Sequence, residues 1–424
     1  MSNPKRTNRL LTLLVAVMLL SGCMPRQMFS RKSIFHTAVS QYAPVIYQEQ
    51  TYSHLKECFS AQKDIVRPHT GSTIIAAWLP YMLYDTLFGS QDKETCRSTI
   101  RSYLSSAKAL GINTIFAHAC AFGEAYYTSG LMPAADIGCR FDPFALISDE
   151  CRRLGLSLHA WINPLRLETA VHMEKYWAAD DALSARWYQD ESLRGKYMLQ
   201  WEKRWFLNPA SDAVQDYICR VAAELLNRYP IDGIHIDDYF YPTISTAFDA
   251  KEFEVSGEKN LSEWRRGLIS KLVSELYATV HNIAPDAVFS VSPQASIKDN
   301  HNKSYADVAL WCAEKGYCDW MIPQIYYGFE NDTMPFTEVL AEWCMLPRSS
   351  SVALMVGIAT YKVGAVDAFA GGGANEWVTE LGIPAREAQT VLRNPAFSGI
   401  SLYHLGTTLS MSDGEKSELS GAIL

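Results

Sequence analysis

From residue 72 onward two patterns alternate along the chain. Short runs rich in β-branched and aromatic residues are separated by longer runs whose apolar positions recur every three to four residues. The first is the pattern of strands buried on both faces and the second that of amphipathic helices, so their repetition predicts βα units and a parallel sheet. Strands are expected at 73–79, 112–119, 156–163, 231–238, 287–293, 319–327, 351–358 and 398–404. Helices fall between them, most clearly at 94–109, 142–154, 211–228, 262–283 and 335–344. Asp142 before Pro143, and Ser211 at the head of SDAVQDYICRVAAELL, read as helix caps. Eight such units over 72–424 predict an α/β fold closed as a (β/α)8 TIM barrel. Two stretches exceed ordinary connections, 168–210 after the third strand and 241–261 after the fourth. Both leave the C-terminal ends of strands, the face on which such barrels build active sites. The first carries Tyr176, Trp177, Trp187, Tyr188, Trp201, Trp205 and Phe206, rings that either wall a cleft for sugars or pack the insertion itself.

Residues 1–22 read as an address rather than as fold. Lys5, Arg6 and Arg9 precede the apolar run LLTLLVAVMLL, which is too short to span a bilayer and stops at Leu20-Ser21-Gly22-Cys23. This end resembles the bacterial lipobox, which implies cleavage before Cys23, lipid on Cys23 and an extracytoplasmic, membrane-anchored lipoprotein at the cell surface or in the periplasm. Residues 23–71, polar and weakly periodic, are then tether and lead-in.

Composition narrows the field. At 48% hydrophobic and 20% charged over 424 residues the chain is neither disordered, collagenous nor a coiled coil. A net charge of -8 and the lack of any basic run exclude nucleic acid as a partner. The nine cysteines after Cys23 show no framework spacing and are expected as small buried hydrophobes rather than disulfides. No CxxC pair, ligand-spaced His cluster or Gly-rich phosphate loop occurs, so no metal, nucleotide or organic cofactor is expected.

The fourth strand holds the most informative residues. In Ile231-Asp232-Gly233-Ile234-His235-Ile236-Asp237-Asp238-Tyr239, alternation sets His235, Asp237 and Tyr239 opposite Ile234 and Ile236, facing the barrel interior. Apolar side chains normally fill that interior, so an Asp there points to catalysis or binding. Neighbouring strands end at the same rim with Trp161, Asn163 and Arg166, with Ser292 and Gln294, and with Gln324 and Tyr326; His118 and Glu124 follow strand two. Amides, hydroxyls and rings from many strands suit an uncharged ligand with many hydroxyls, a glycan. Glycoside hydrolysis usually needs two carboxyl groups, one protonated and one ionised. Asp237 fits the ionised role; the second group is left open among Asp238, Glu124, Glu330 and the insertions, because FSVSPQ and VALMVGI offer no acid.

The motifs LHAWINPLRL, FLNPASDAVQDYI, DGIHIDDYFYP, EWRRGL, FSVSPQ and DWMIPQIYYGFE, in this order between about residues 72 and 409, resemble the bacterial glycosyl-hydrolase-like family ten. The resemblance implies a (β/α)8 barrel, export with a lipid anchor and action on cell-wall glycan; some relatives are similar to a division-associated enzyme that cuts peptidoglycan strands stripped of stem peptides. The chain departs from the family at the end of strand two, where Ala117-His118-Ala119 replaces Gln-Val-Arg and Glu124 replaces Asp, and in strand one, where Ala76-Ala77 replaces Arg-Gly. A chitinase pattern is disfavoured, since His235 and Tyr239 stand where Asp and Glu would be needed. The expected function is a lipid-anchored glycoside hydrolase acting on a polysaccharide, with peptidoglycan glycan the leading substrate. Asp237 is its main catalytic carboxylate and Asp238 or Glu124 the acid partner. Trp161, Asn163, Arg166, His235, Tyr239, Gln324 and Tyr326 bind the sugar. The alternative is a glycan-binding lipoprotein on the same scaffold without chemistry.

Overall fold

The computed structural model describes residues 73–89 and 92–424. The signal segment, Cys23 and the tether lie outside the described residues. Strands β1 (Ile74–Leu79), β2 (Thr114–Cys120), β3 (Ser157–Ile162), β7 (Gly233–Ile236), β8 (Val288–Val291), β9 (Trp320–Met321), β10 (Ala353–Ala359) and β11 (Gly399–Tyr403) form one closed parallel barrel, each beside its chain neighbour, with β11 returning to β1. All eight expected strands are therefore present. The sixth is much shorter than 319–327, because Pro323 has no N–H to donate to the ladder; beyond it only Gln324 pairs, with Gln294 and Gly357.

Alternation in β1 shows how the two cores arise. Ile74, Ala76 and Trp78 enter the lumen, where they meet Phe116, Trp161, Trp320, Ile322 and Met355. Ile75, Ala77 and Leu79 point outward under the helices. The helices cover that outer layer with one apolar stripe each, as Cys96, Ile100, Leu104 and Ala107 do for the helix Lys93–Ala109. Asp142 caps the helix Pro143–Leu154 by accepting from Ala145 N–H, and Gly155 ends it in a left-handed conformation at φ 65°. Ser211 occupies the N-cap of the helix Asp212–Arg228, but its hydroxyl makes no capping bond; only its carbonyl serves the first turn.

The two long connections are structured. The first builds an antiparallel sheet of β4 (Arg166–Thr169), β5 (Met198–Trp201) and β6 (Arg204–Leu207), in the order β4-β6-β5, with helices Ala170–Tyr176, Leu183–Gln189 and Glu191–Tyr197 between β4 and β5. Its aromatics mostly pack the insertion: Trp177 is fully buried, and Trp187 sits 4.5 Å from Tyr197 and 4.9 Å from Tyr217. The second is pinned by Arg265 of the EWRRGL motif. The fully buried guanidinium pairs with Asp249, donates to Tyr305 Oη at 3.0 Å and to Ser245 O at 2.7 Å, and lies beside the Tyr241 ring. The eight described cysteines are all free, and six of them are buried.

Candidate active site

The floor of the barrel mouth is a hydrogen-bonded relay. Trp78 Nε1–H donates to His235 Nε2 at 2.9 Å, and His235 Nδ1 meets Ser290 Oγ at 2.8 Å. An indole can only donate, so Nε2 is the acceptor and the imidazole proton sits on Nδ1. Burial holds His235 well below the ordinary histidine range, and Phe116 stacks on it at 4.2 Å. Both ring nitrogens are thus engaged and the residue is fully buried. The expectation that His235 would hydrogen-bond a sugar is corrected: it supports the floor from below. Gly357 belongs to the same construction, since a Cβ there would lie 3.0 Å from the Trp78 ring and 3.2 Å from Gln324 Cα.

One wall comes from β2 and β3. The Trp161 ring stacks on His118 with centroids 3.3 Å apart, its Nε1–H donates to Asn163 Oδ1 at 3.1 Å, and Asn163 Nδ2 donates to Ala121 O at 3.3 Å. His118 Nδ1 accepts from Tyr81 N–H at 3.1 Å, which leaves the imidazole proton on Nε2. Burial keeps this ring neutral as well. Trp161 is only 3% exposed, so it shapes the wall and offers no face for stacking.

Asp237 and Asp238 lie just past the end of β7. Asp237 is buried, with Oδ1 accepting from Tyr239 N–H at 3.2 Å. Burial, and then the neighbouring Asp238 charge, push its carboxyl well above the usual carboxylate range, while Arg166 and the Trp161 indole pull it partly back. Asp238 is half-buried; burial raises it too, opposed by Gln324 and Arg166. The environment therefore favours the proton on Asp237, the reverse of the ionised role expected for it. Tyr239 is 47% exposed, and the Arg166 guanidinium lies 4.1 Å above its ring and 4.8 Å from Phe122.

The opposite wall comes from β9, β10 and β11. Gln324 Nε2 donates to Ser292 O at 2.9 Å, which fixes the amide at the rim. Tyr326 stacks on Tyr403 at 5.5 Å, and its buried hydroxyl has no partner among the described residues. The charges of Asp237 and Asp238 reach both phenols. Tyr361 stands edge-on to this pair at 6.0 and 5.9 Å and is 39% exposed.

Glu124 is placed differently. Its Oε1 receives the Trp177 indole N–H at 2.7 Å and His172 Nε2 at 2.7 Å, so it ties the loop after β2 to the insertion. None of the groups that set the Asp237 carboxyl is Glu124. Glu330 is exposed, with its backbone N–H donating to Glu376. The sequence reading missed Glu168, Arg204, Tyr81, Phe122, Tyr361 and Tyr403. Glu168 and Tyr403 were within reach of it, since Glu168 follows Arg166 by two residues in β4 and Tyr403 follows the interior Ser401 by two in β11. Tyr81, Phe122 and Tyr361 sit in short turns after strands, where no periodicity operates.

Comparison with known proteins agrees with this architecture. The sequence model described as Glycosyl hydrolase-like 10 matches residues 75–371. The chain is 28% identical over 327 residues to the protein named Glycosyl hydrolase DigH of Escherichia coli, covering 71% of this chain and 73% of that one. It is 26% identical over 321 residues to Glycosyl hydrolase YngK of Bacillus subtilis, covering 68% and 61%. Among solved structures, alpha-L-fucosidase isoenzyme 2 from Paenibacillus thiaminolyticus superposes with a TM-score of 0.52 at 11% identity, over 83% of this chain and 48% of that chain, which is a likeness of fold. The match from β1 to the loop beyond β10 takes in every barrel strand but the last, together with the Asp237–Asp238 end of β7, and the chain belongs to the glycosyl hydrolase-like 10 family.

Proposed function

We propose that this protein is a glycoside hydrolase that cuts a polysaccharide outside the cytoplasm, the glycan strands of peptidoglycan, while lipid on Cys23 holds it to a membrane. The observation that carries this reading is the pair of adjacent carboxyl groups at the barrel mouth, one buried and biased toward its protonated form, the other half-buried beside Gln324. Asp237 gives its proton to the departing glycosidic oxygen as the bond to the anomeric carbon breaks. Asp238, ionised, stabilises the positive charge that builds on the sugar and takes the proton of the water that adds there. Arg166 lowers the cost of ionising Asp238, and Gln324 and Tyr326 fix the hydroxyls of the sugar, while the buried Asn163 amide, engaged by Trp161 and Ala121 O, braces the wall instead of binding the sugar. Tyr239 supplies the exposed ring on which a sugar face rests. The peptidoglycan substrate is supported by the family resemblance and by the lipobox-like leader, and the uncharged amides of the rim fit any glycan.

The test is release of reducing ends by the full-length protein in detergent, on peptidoglycan strands with and without stem peptides, beside chitin and glucan. Asp237→Asn is expected to lower turnover on the wall substrate by roughly a hundredfold or more, the usual worth of a positioned proton donor. The rate should fall as pH rises through the Asp237 pKa and also as pH drops through that of Asp238. Binding of strands without release of ends from any substrate would favour the non-catalytic reading, which the lack of acids at the ends of β8 and β10 supports.

A further inference from the structure

Four polar side chains are sealed together at the barrel mouth: His118, Trp161, Asn163 and Asp237 are each no more than 4% exposed. His118 follows the lumen residue Phe116 by two in β2 and lies beside Trp161 in the register of β2 and β3. The two rings stack 17° from parallel, which holds the indole plane in one orientation. His118 Nδ1 is spent on the Tyr81 N–H, so its proton sits on Nε2. That N–H is buried and meets no partner at full hydrogen-bond geometry among the described residues; the side chain that faces it is Asn163. Asn163 Nδ2 is tied to Ala121 O, so Oδ1 is the acceptor it offers, and this oxygen already takes the Trp161 indole N–H at 3.1 Å. An amide oxygen has two lone pairs, enough for both donors. The same indole N–H also faces the Asp237 carboxyl. One N–H is thus contested by two oxygens, and a second donor on Asn163 weakens the claim of that amide, because two N–H dipoles on one oxygen repel.

Resting on the reading of Asp237 as the proton donor, we infer that His118 is a positioning residue: by donating to Asn163 it directs the Trp161 indole N–H to the Asp237 carboxyl. The carboxylate that remains once Asp237 has given up its proton is then met by a donor already in place, with no rearrangement of the wall. Also facing Asp237 are Asp238 and Tyr239 of the same connection, Arg166 of β4 and the phenols of Tyr326 and Tyr403 across the mouth. Arg166 and the neutral His235 face His118 as well. All of these groups are kept in the wall variants below, so a shift in the Asp237 titration reads the wall residues.

The experiment isotopically labels the indole nitrogens of the full-length protein in detergent and follows the Trp161 N–H resonance by NMR as pH is varied, the resonance being assigned by its loss in Trp161→Phe. In wild type this resonance should titrate, and Asp237→Asn should abolish the titration. The two imidazole nitrogens can be kept one at a time: His118→Gln retains a donor in place of Nε2 and loses the acceptor for Tyr81, while His118→Asn retains that acceptor and loses the donor. His118→Asn should raise the midpoint, and with it the alkaline limb of kcat/KM, by roughly half to one pH unit, the worth of one hydrogen bond to the ionised form. His118→Gln should hold both near wild type. Asn163→Ala leaves the indole only Asp237 to serve, so its midpoint should fall; thermal unfolding of each variant shows that it is folded. A role confined to anchoring Tyr81 would reverse the order, with His118→Asn like wild type and His118→Gln displaced, and would overturn the inference. So would an indole resonance indifferent to Asp237, or equal midpoints in wild type and folded His118→Asn. Should His118→Asn not fold, Asn163→Ala decides, and a midpoint that does not fall overturns the inference. Release of reducing ends by wild type separates this from the parent reading. No release, with the indole shifts as expected, ends the glycosidase reading and leaves the positioning role; release with unmoved midpoints does the opposite.

Discussion

His159 shows how a single side chain shapes this barrel. It is fully buried in the lumen, stacked on Trp320 at 4.9 Å and edge-on to Phe116 at 5.2 Å, and neither ring nitrogen has a partner among the described residues. Gly233 makes room for it, since a Cβ there would meet Val288 O at 2.3 Å and His159 Nδ1 at 2.7 Å. The glycine after Asp232, unusual inside a strand, is thus a packing requirement. Burial pushes the His159 pKa down to about 3. Below about pH 6.5 the unfolded chain binds a proton that the folded chain refuses, so this residue lowers stability progressively as pH falls from there to about 3. Buried acids with raised pKa values, such as Asp237 and Glu387, act in the opposite direction. Comparison with a His159→Leu variant isolates the histidine. Between about pH 6 and 4 the stability of wild type relative to the variant should fall by roughly 1.4 kcal/mol per pH unit, read by urea unfolding. A difference that does not change with pH would mean that His159 is solvated in the folded protein.

At the scale of elements, the barrel strands and their helices were legible because burial on both faces or on one stripe leaves a clear period. The inserted sheet was not. Its strands have four residues each, too few for alternation to stand out. The β5–β6 hairpin turns at Glu202 and Lys203, with Glu202 at φ 54°, a conformation for which Asn or Gly is the usual signal. The positions that line the candidate site were legible where strands supply them, as at Trp161, Asp237 and Gln324, though not the parts expected of Trp161 as a stacking face or of Asp237 as an ionised group, and were hidden where the insertion or a turn supplies them. Glu124 is a case in which residue type misleads: a carboxyl near the mouth reads as an acid catalyst, yet its contacts join two loops. Glu124→Gln, which keeps an acceptor for Trp177, should retain most of the turnover. Glu124→Ala leaves that buried indole N–H unpaired, at about 1–3 kcal/mol, and should speed hydrogen exchange across residues 170–189. Loss of turnover in Glu124→Gln with exchange protection intact would instead give this residue a part in the chemistry.

For the molecule as a whole, closure of the barrel couples its two ends. Ile74 pairs with Gly399 and Ala77 with Leu402, so the first strand is completed only by the last. The other barrel strands, β2 to β10, each lie between the barrel strands that precede and follow them in the chain. Removing residues 399–424 should abolish the single cooperative unfolding transition and drive the protein into aggregates on size-exclusion chromatography, since β1 and β10 become open edges. A monomeric truncation with a sharp transition would show that seven strands suffice.

The β1–β11 seam also sets the order of events as the chain is made. Parallel neighbours far apart in sequence close slowly, and their edges stay unpaired in the meantime. A growing chain therefore carries β1 as a waiting template until Gly399–Tyr403 emerges. For that interval the amino-terminal strand can pair with any other extended segment, including its own copy on a neighbouring chain. The interval between synthesis of the first strand and of the last is thus the period in which this protein most needs a chaperone.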